Sequence, residues 1–202
     1  VVKRTSAMHQ RSSPRLLSNG TLSHLRSGLA DPVASILIGL LLVGAAFMLA
    51  RETGGLLVGE YVRYFIEQNP RDTCLADIPA IARGQLAWED SARAQQPALL
   101  ILDTHLLSNM LWSQTLFGDC PAWIEEQLLA RHYDLHLVLS PQMVEWTDDG
   151  QRCQPELSQR QAFFEATCDW LRNHQRALQI IEGDWNERRR QAVLLVEQLL
   201  KF

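Results

Sequence analysis

The sequence predicts an α/β protein, with helices covering both faces of a mainly parallel β-sheet to make three layers. Short apolar runs of strand length recur along the chain, "PALLILDT" (97–104), "YDLHLVLSP" (133–141) and "ALQIIEG" (177–183). They are nearly continuous rather than alternating, as strands buried on both faces must be. Between them lie segments with helical spacing of apolar residues, and strands alternating with helices imply βαβ units. The composition agrees: 47% hydrophobic and 21% charged residues are globular values, and 202 residues suit one domain with a sizeable core.

Taken in order, residues 1–32 are a basic stretch without a sustained period of 2 or 3.6, which predicts a poorly ordered tail. Residues 33–202 then form the domain. Its first part, 33–50, is uncharged, with Ser35 its one distinctly polar side chain. As a helix it would span about 27 Å, slightly less than a bilayer core, and the basic flank before it would suit the cytoplasmic side. "GLLVGEY" (55–61) is a short apolar run entering polar residues. "DIPAIARGQLAWEDSARAQQ" (77–96) reads as a helix with Ile81 and Trp88 on one face. The run 98–102 is a buried strand ending at Asp103, and "DTHLLSNMLW" opens a helical pattern. "PAWIEEQLLARH" (121–132) is a helix with proline near its first turn. Strands at 133–141 and 177–183 and an amphipathic helix over about 185–201 complete the chain.

The net charge of −4 hides an asymmetry. Five basic residues and no acid fall in residues 1–30, which leaves fourteen basic residues against all twenty-three acids in the remainder, a balance of −9. So acidic a body argues against nucleic acid as a partner and for a small ligand met by local basic groups. Lys3 and Lys201 are the only lysines. The four cysteines, Cys74, Cys120, Cys153 and Cys168, stand far apart, without the spacing of a zinc site or a disulfide framework. Reduced thiols and a cytoplasmic location follow as expectations.

In parallel sheets ligands bind beyond the carboxyl ends of the strands. That directs attention to Glu60 and Arg63, to Asp103 and Thr104, and to "WTDDGQR" (146–152). An ionised Asp103 at the end of a buried strand needs water, a cation or donors. It reads equally as a magnesium-water ligand or base for a substrate hydroxyl and as the N-cap of the following helix. Asp-Asp-Gly at 148–150 marks a turn, followed by Arg152 and then Arg160 at a helix start. These two arginines bracket a loop and suit a phosphate clamp, although solvated surface positions would explain them too.

From about Leu49 to Phe202 these segments together resemble the ribosylnicotinamide kinase domain of NadR-type proteins, within the P-loop NTPase fold. The resemblance rests on "LARETGGLLVGEYVRYFIE", "DIPAIARGQLAWEDSA", "LLILDTHLLSNMLWSQTLFGDCP", "YDLHLVLSPQMVEWTDDGQR" and "ERRRQAVLLVEQLL", in that order. It implies ATP- and Mg2+-dependent phosphorylation of a small nucleoside, nicotinamide riboside, to nicotinamide mononucleotide for NAD synthesis. By the same resemblance, Asp103, Arg152 and Arg160 would be catalytic, with Asp103 also meeting metal through water. Glu60, Arg63, Thr104 and Trp146 would bind substrate, although core packing would also explain Trp146. His105 departs from the second acid of the family's Asp-Thr-Asp.

The family opens on a strand, then Gly-x-x-x-x-Gly-Lys-[Ser/Thr], whose backbone and lysine hold phosphates. In this chain Ala45 and Ala46 follow the four-residue gap between Gly39 and Gly44, so the phosphate loop is missing and ATP use is expected to be impaired. Three readings of the first fifty residues stand side by side. They are an out-of-frame start joined to a kinase body, a membrane anchor before a non-catalytic ligand-binding module, or a soluble pseudokinase. In the last, which the sheet argument prefers, a strand within 35–44 would lie between 98–102 and 135–139.

Overall fold

The computed structural model describes residues 2–3, 55–145 and 154–201. The strands are β1 (Val2–Lys3), β2 (Leu56–Val58), β3 (Leu100–Leu102), β4 (His136–Leu139) and β5 (Leu178–Ile181). The helices are α1 (Tyr61–Gln68), α2 (Ile78–Ala94), α3 (Leu106–Phe117), α4 (Ala122–Ala130), α5 (Leu157–Asn173) and α6 (Trp185–Leu200), with a 3-10 turn at Leu75–Asp77. All the pairings are parallel. β2 runs beside β3 with Leu57 opposite Ile101, while β4 lies between β1 and β5 with Leu137 opposite Gln179.

The predicted α/β class holds as a mixed fold with a small parallel sheet, and its strands are buried on both faces. Leu102 and Val138 point into the larger core, built with residues of α2 to α5. Ile101, Leu137 and Ile181 point the other way, onto Val196 of α6. Side-chain alternation along each strand thus feeds two cores at once. α3 ends where Gly118 adopts a left-handed conformation (φ 72°) and returns its N–H to the Gln114 carbonyl, a conformation glycine takes at little cost.

Two expectations for the amino-terminal part change. Val2–Lys3, in the stretch read as a poorly ordered tail, forms β1 opposite Leu137–Val138, and it also approaches β3. The slot expected for a strand from 35–44 is therefore taken by Val2–Lys3, because two residues suffice to satisfy part of β4's exposed ladder. The 35–44 segment itself lies outside the described residues. The possible transmembrane segment is also corrected: among the described residues no helix is long and apolar enough to cross a membrane. Residues 33–50, which prompted that reading, are outside them.

Two polar clusters tie the helices to the strands. Glu89 of α2 has no solvent exposure. It accepts from Arg93 Nε (2.8 Å), Arg131 Nη1 (3.2 Å) and the Tyr133 hydroxyl (3.0 Å). Arg131 also grips Asp90 at 2.6 and 3.0 Å, holding its carboxyl below the usual range. Burial, and then Glu89, push the Tyr133 phenol up. The second cluster closes the α1–α2 connection, where Arg71 makes a fork–fork pair with Asp77, both bonds at 2.7 Å.

We expect Glu89→Ala to lower unfolding stability in urea by about 3–5 kcal/mol, since two guanidinium groups would lose a buried partner. Asp77 supplies a pH test. The Arg71 hydrogen bond holds its carboxyl well below its ordinary 3.8, so the stabilisation is complete above that value and is lost as pH falls through the depressed one. The stability gap between wild type and Asp77→Asn should therefore close on acidification below about pH 4, as followed by circular dichroism.

Candidate functional site

β2 and β3 end side by side, and the ladder continues one step past them, with the Asp103 N–H donating to the Val58 carbonyl at 2.9 Å. This brings the segment Gly59–Glu60–Tyr61 next to Asp103–Thr104–His105. Glu60 is buried and occupies the N-cap position of α1, but its carboxylate does not cap the helix. It accepts instead from Arg63 Nε at 2.6 Å, one turn on. Thr104 is buried as well, and Asp103 is partly exposed.

Gln85 of α2, only 1% exposed, joins the two strand ends. Its Oε1 accepts from the Tyr61 N–H (2.8 Å), and its Nε2 donates to the carbonyls of Gly59 (3.1 Å) and Thr104 (3.2 Å). The nearby helix packing is tight. Gly84 lies against the Tyr61 ring, leaving no room for a β-carbon, and the same ring meets the edge of half-exposed Trp88 at 4.9 Å. Trp88 thus braces α1, while Ile81, expected on the same face, is fully buried.

The N-cap role weighed for Asp103 belongs to His105. The helix starts at Leu106, and His105 Nδ1 accepts from the Leu107 N–H at 3.1 Å. The His105 ring is completely buried, stacked on Tyr133 at 4.7 Å and edge-on to His136 at 5.2 Å. The departure from the Asp-Thr-Asp pattern therefore places an aromatic cap where a carboxylate would have been buried. Asp103 remains at the strand end, free of any capping duty to α3.

Arg160 lies one turn into α5, and its Nη1 donates to the carbonyls of Gln154 (3.1 Å) and Pro155. It braces the segment that leads into its own helix. Arg152 and Trp146 lie outside the described residues. Among the described residues, no group of three or more His, Cys, Asp or Glu side chains could hold a metal ion.

One cation at this edge escaped the sequence reading. Arg188 of α6 is 2% exposed and clamps the ends of β4 and β5. Its three nitrogens each donate at 2.7 Å, Nε to the Gly183 carbonyl, Nη1 to that of Ser140 and Nη2 to that of Gln142. Burial lowers its pKa. The signal was available, because Arg188 shares a helical face with Ala192, Leu195 and Val196, which pack into the second core. Gln85 left a similar trace, being spaced three or four residues from buried Ile81, Ala82 and Glu89 on α2.

Parallel strands, helices on both faces and polar groups gathered at the carboxyl edge describe a nucleotide-binding class of α/β domain. Residues 45–188 match the family model AAA_28, described as an AAA domain, and the chain belongs to that family. It is an AAA, P-loop NTPase-type domain. No curated protein matches the chain. The match starts at residue 45, so the end of the apolar run 33–50 belongs to the domain. It closes on Arg188, the clamp of the sheet edge.

The family implies a nucleoside triphosphate with Mg2+, and the donor set does not fit one. The matched span contains no lysine. Among the described residues of this edge, Arg63 is engaged by Glu60, and Arg160 and Arg188 by backbone carbonyls.

Replacing Arg188 with Met should cost about 3 kcal/mol in urea unfolding, since three carbonyls lose a charged donor. Arg188→Lys should recover little of it, because an ammonium lacks the planar fork that reaches all three.

Proposed function

We propose that this domain binds a small nucleoside, nicotinamide riboside, at the carboxyl edge of its sheet. Its descent is that of a nucleoside kinase whose ATP-dependent step is impaired by loss of the phosphate loop. The observation that carries the reading is the joining of two acid-bearing strand ends, Glu60 and Asp103, through buried Gln85. Carboxylates accept hydrogen bonds from ribose hydroxyls, and the partner of Glu60, Arg63, fixes the orientation of its acceptor oxygen. Asp103, at a partly exposed strand end, is available to a primary hydroxyl as a hydrogen-bond acceptor. The resemblance of "GEYVR" and "LDTHLL" to the ribosylnicotinamide kinase segments supplies the substrate.

A second reading, a binding module without turnover, draws on the same chemistry. With Arg63, Arg160 and Arg188 engaged by protein acceptors, the described edge offers acceptors to hydroxyls more readily than donors to phosphates. The two readings agree on the nucleoside and differ on residual phosphorylation.

Calorimetry with nicotinamide riboside and with Mg-ATP, together with a coupled kinase assay, tests both. We expect measurable riboside binding that Asp103→Asn weakens, very weak Mg-ATP binding, and turnover far below the roughly 1–100 s⁻¹ of ordinary kinases. Failure to bind the riboside overturns the nucleoside reading. Micromolar Mg-ATP affinity with ordinary turnover overturns the impairment.

A further inference from the structure

We propose that Gln85 is a positioning residue that fixes the spacing of the two acidic strand ends and thereby sets nucleoside affinity; this rests on the nucleoside-binding reading. The amide stands at the crossing of three chain segments. It accepts from the Tyr61 N–H where α1 begins, and it donates both of its hydrogens, one to Gly59 just before Glu60 and one to Thr104 just after Asp103. The orientation of the amide follows from its neighbours, since only NH2 can face two carbonyls and only oxygen can face an N–H.

Every hydrogen-bonding arm in this set is engaged, and the residue is 1% exposed. A buried amide of this kind cannot drift without leaving a carbonyl or N–H unpaired. The ladder bond from Asp103 to Val58 aligns the strands up to their ends but stops there. Beyond that point the separation of Glu60 from Asp103 is set by loop backbone, and Gln85 is the side chain that spans it. The structure of the amide also decides which replacements fail. Leucine removes all three bonds. Glutamate keeps the acceptor for Tyr61 but, when ionised, turns an oxygen toward two carbonyl oxygens. On protonation it regains one donor.

The test uses the full chain as Gln85→Leu and Gln85→Glu, at a temperature where circular dichroism shows each to be native. Riboside affinity is measured by calorimetry, and exchange of the Tyr61 amide by NMR. We expect Gln85→Leu to bind nicotinamide riboside at least about tenfold more weakly than wild type, the scale of one good hydrogen bond. Relative to wild type at the same pH, Gln85→Glu should be similarly weak near pH 8 and recover most of the loss near pH 5, as the buried carboxyl takes a proton. A role confined to packing would lower the melting temperature of both variants while leaving affinity and its pH profile unchanged, and that result overturns the proposal. If wild type does not bind the riboside, the nucleoside reading fails, and with it the link to affinity. The positioning itself is then read from exchange. It stands if the Tyr61 amide exchanges at least about tenfold faster in Gln85→Leu, after correction for intrinsic rates, and it falls if exchange is unchanged.

Discussion

A buried polar group must find a partner, and on α2 this constraint operates twice, one helical turn apart. Gln85 and Glu89 share the face that also carries Ile78, Ile81, Ala82 and Ala92. An apolar residue at either position would pack anywhere along the core. A carboxylate without solvent can only be tolerated beside donors, and the donors of Glu89 come from α2 itself, the segment after α4 and the approach to β4. Gln85 imposes the same condition at the opposite end of the strands. Between them they fix α2 lengthwise against the sheet, where hydrophobic contact alone would permit sliding. The specificity of the packing comes from these two residues more than from the apolar stripe that surrounds them.

The same logic accounts for the character of the carboxyl edge. Ends of parallel strands present carbonyls that need donors, and in this chain arginines provide them. Arg188 serves β4 and β5 with three bonds, and Arg160 serves the approach to α5. Both guanidinium groups are thereby taken up by the fold. In a domain of this family with a lysine-bearing phosphate loop, charge for an incoming anion comes from that loop. Here the matched span carries no lysine at all, and the remaining features at the edge are acceptors. Membership of the AAA family therefore defines the scaffold, while the local donor set points to neutral, hydroxyl-bearing ligands.

The strands at 98–102, 135–139 and 178–181 were legible because burial on both faces leaves near-continuous apolar runs. α2 was legible through its length and spacing. α1 was not, since none of its residues is buried and its eight residues hold too little pattern to stand out from a loop. Asp103 shows a different limit. Its place at a strand end was plain, yet whether Asp103 or His105 caps α3 depends on where the helix starts to within two residues, which propensity does not fix. Gln85 and Arg188 were visible only as polar residues in apolar phase, and a sequence does not say which backbone atoms lie opposite. β1 carried no local signal, because a two-residue strand is specified entirely by its partner.

The position of β1 bears on how the molecule is made. Val2 lies opposite Leu137, so the ribosome delivers the first strand long before its neighbour exists. Local contacts among β2, α2, β3, α3 and α4 involve shorter stretches of chain and close at lower entropic cost. They can assemble while the amino terminus still waits, and β4 completes the place that β1 will fill. Throughout synthesis the earliest residues remain available to other binders, chaperones included, and the latest contact of the sheet is made by the oldest part of the chain.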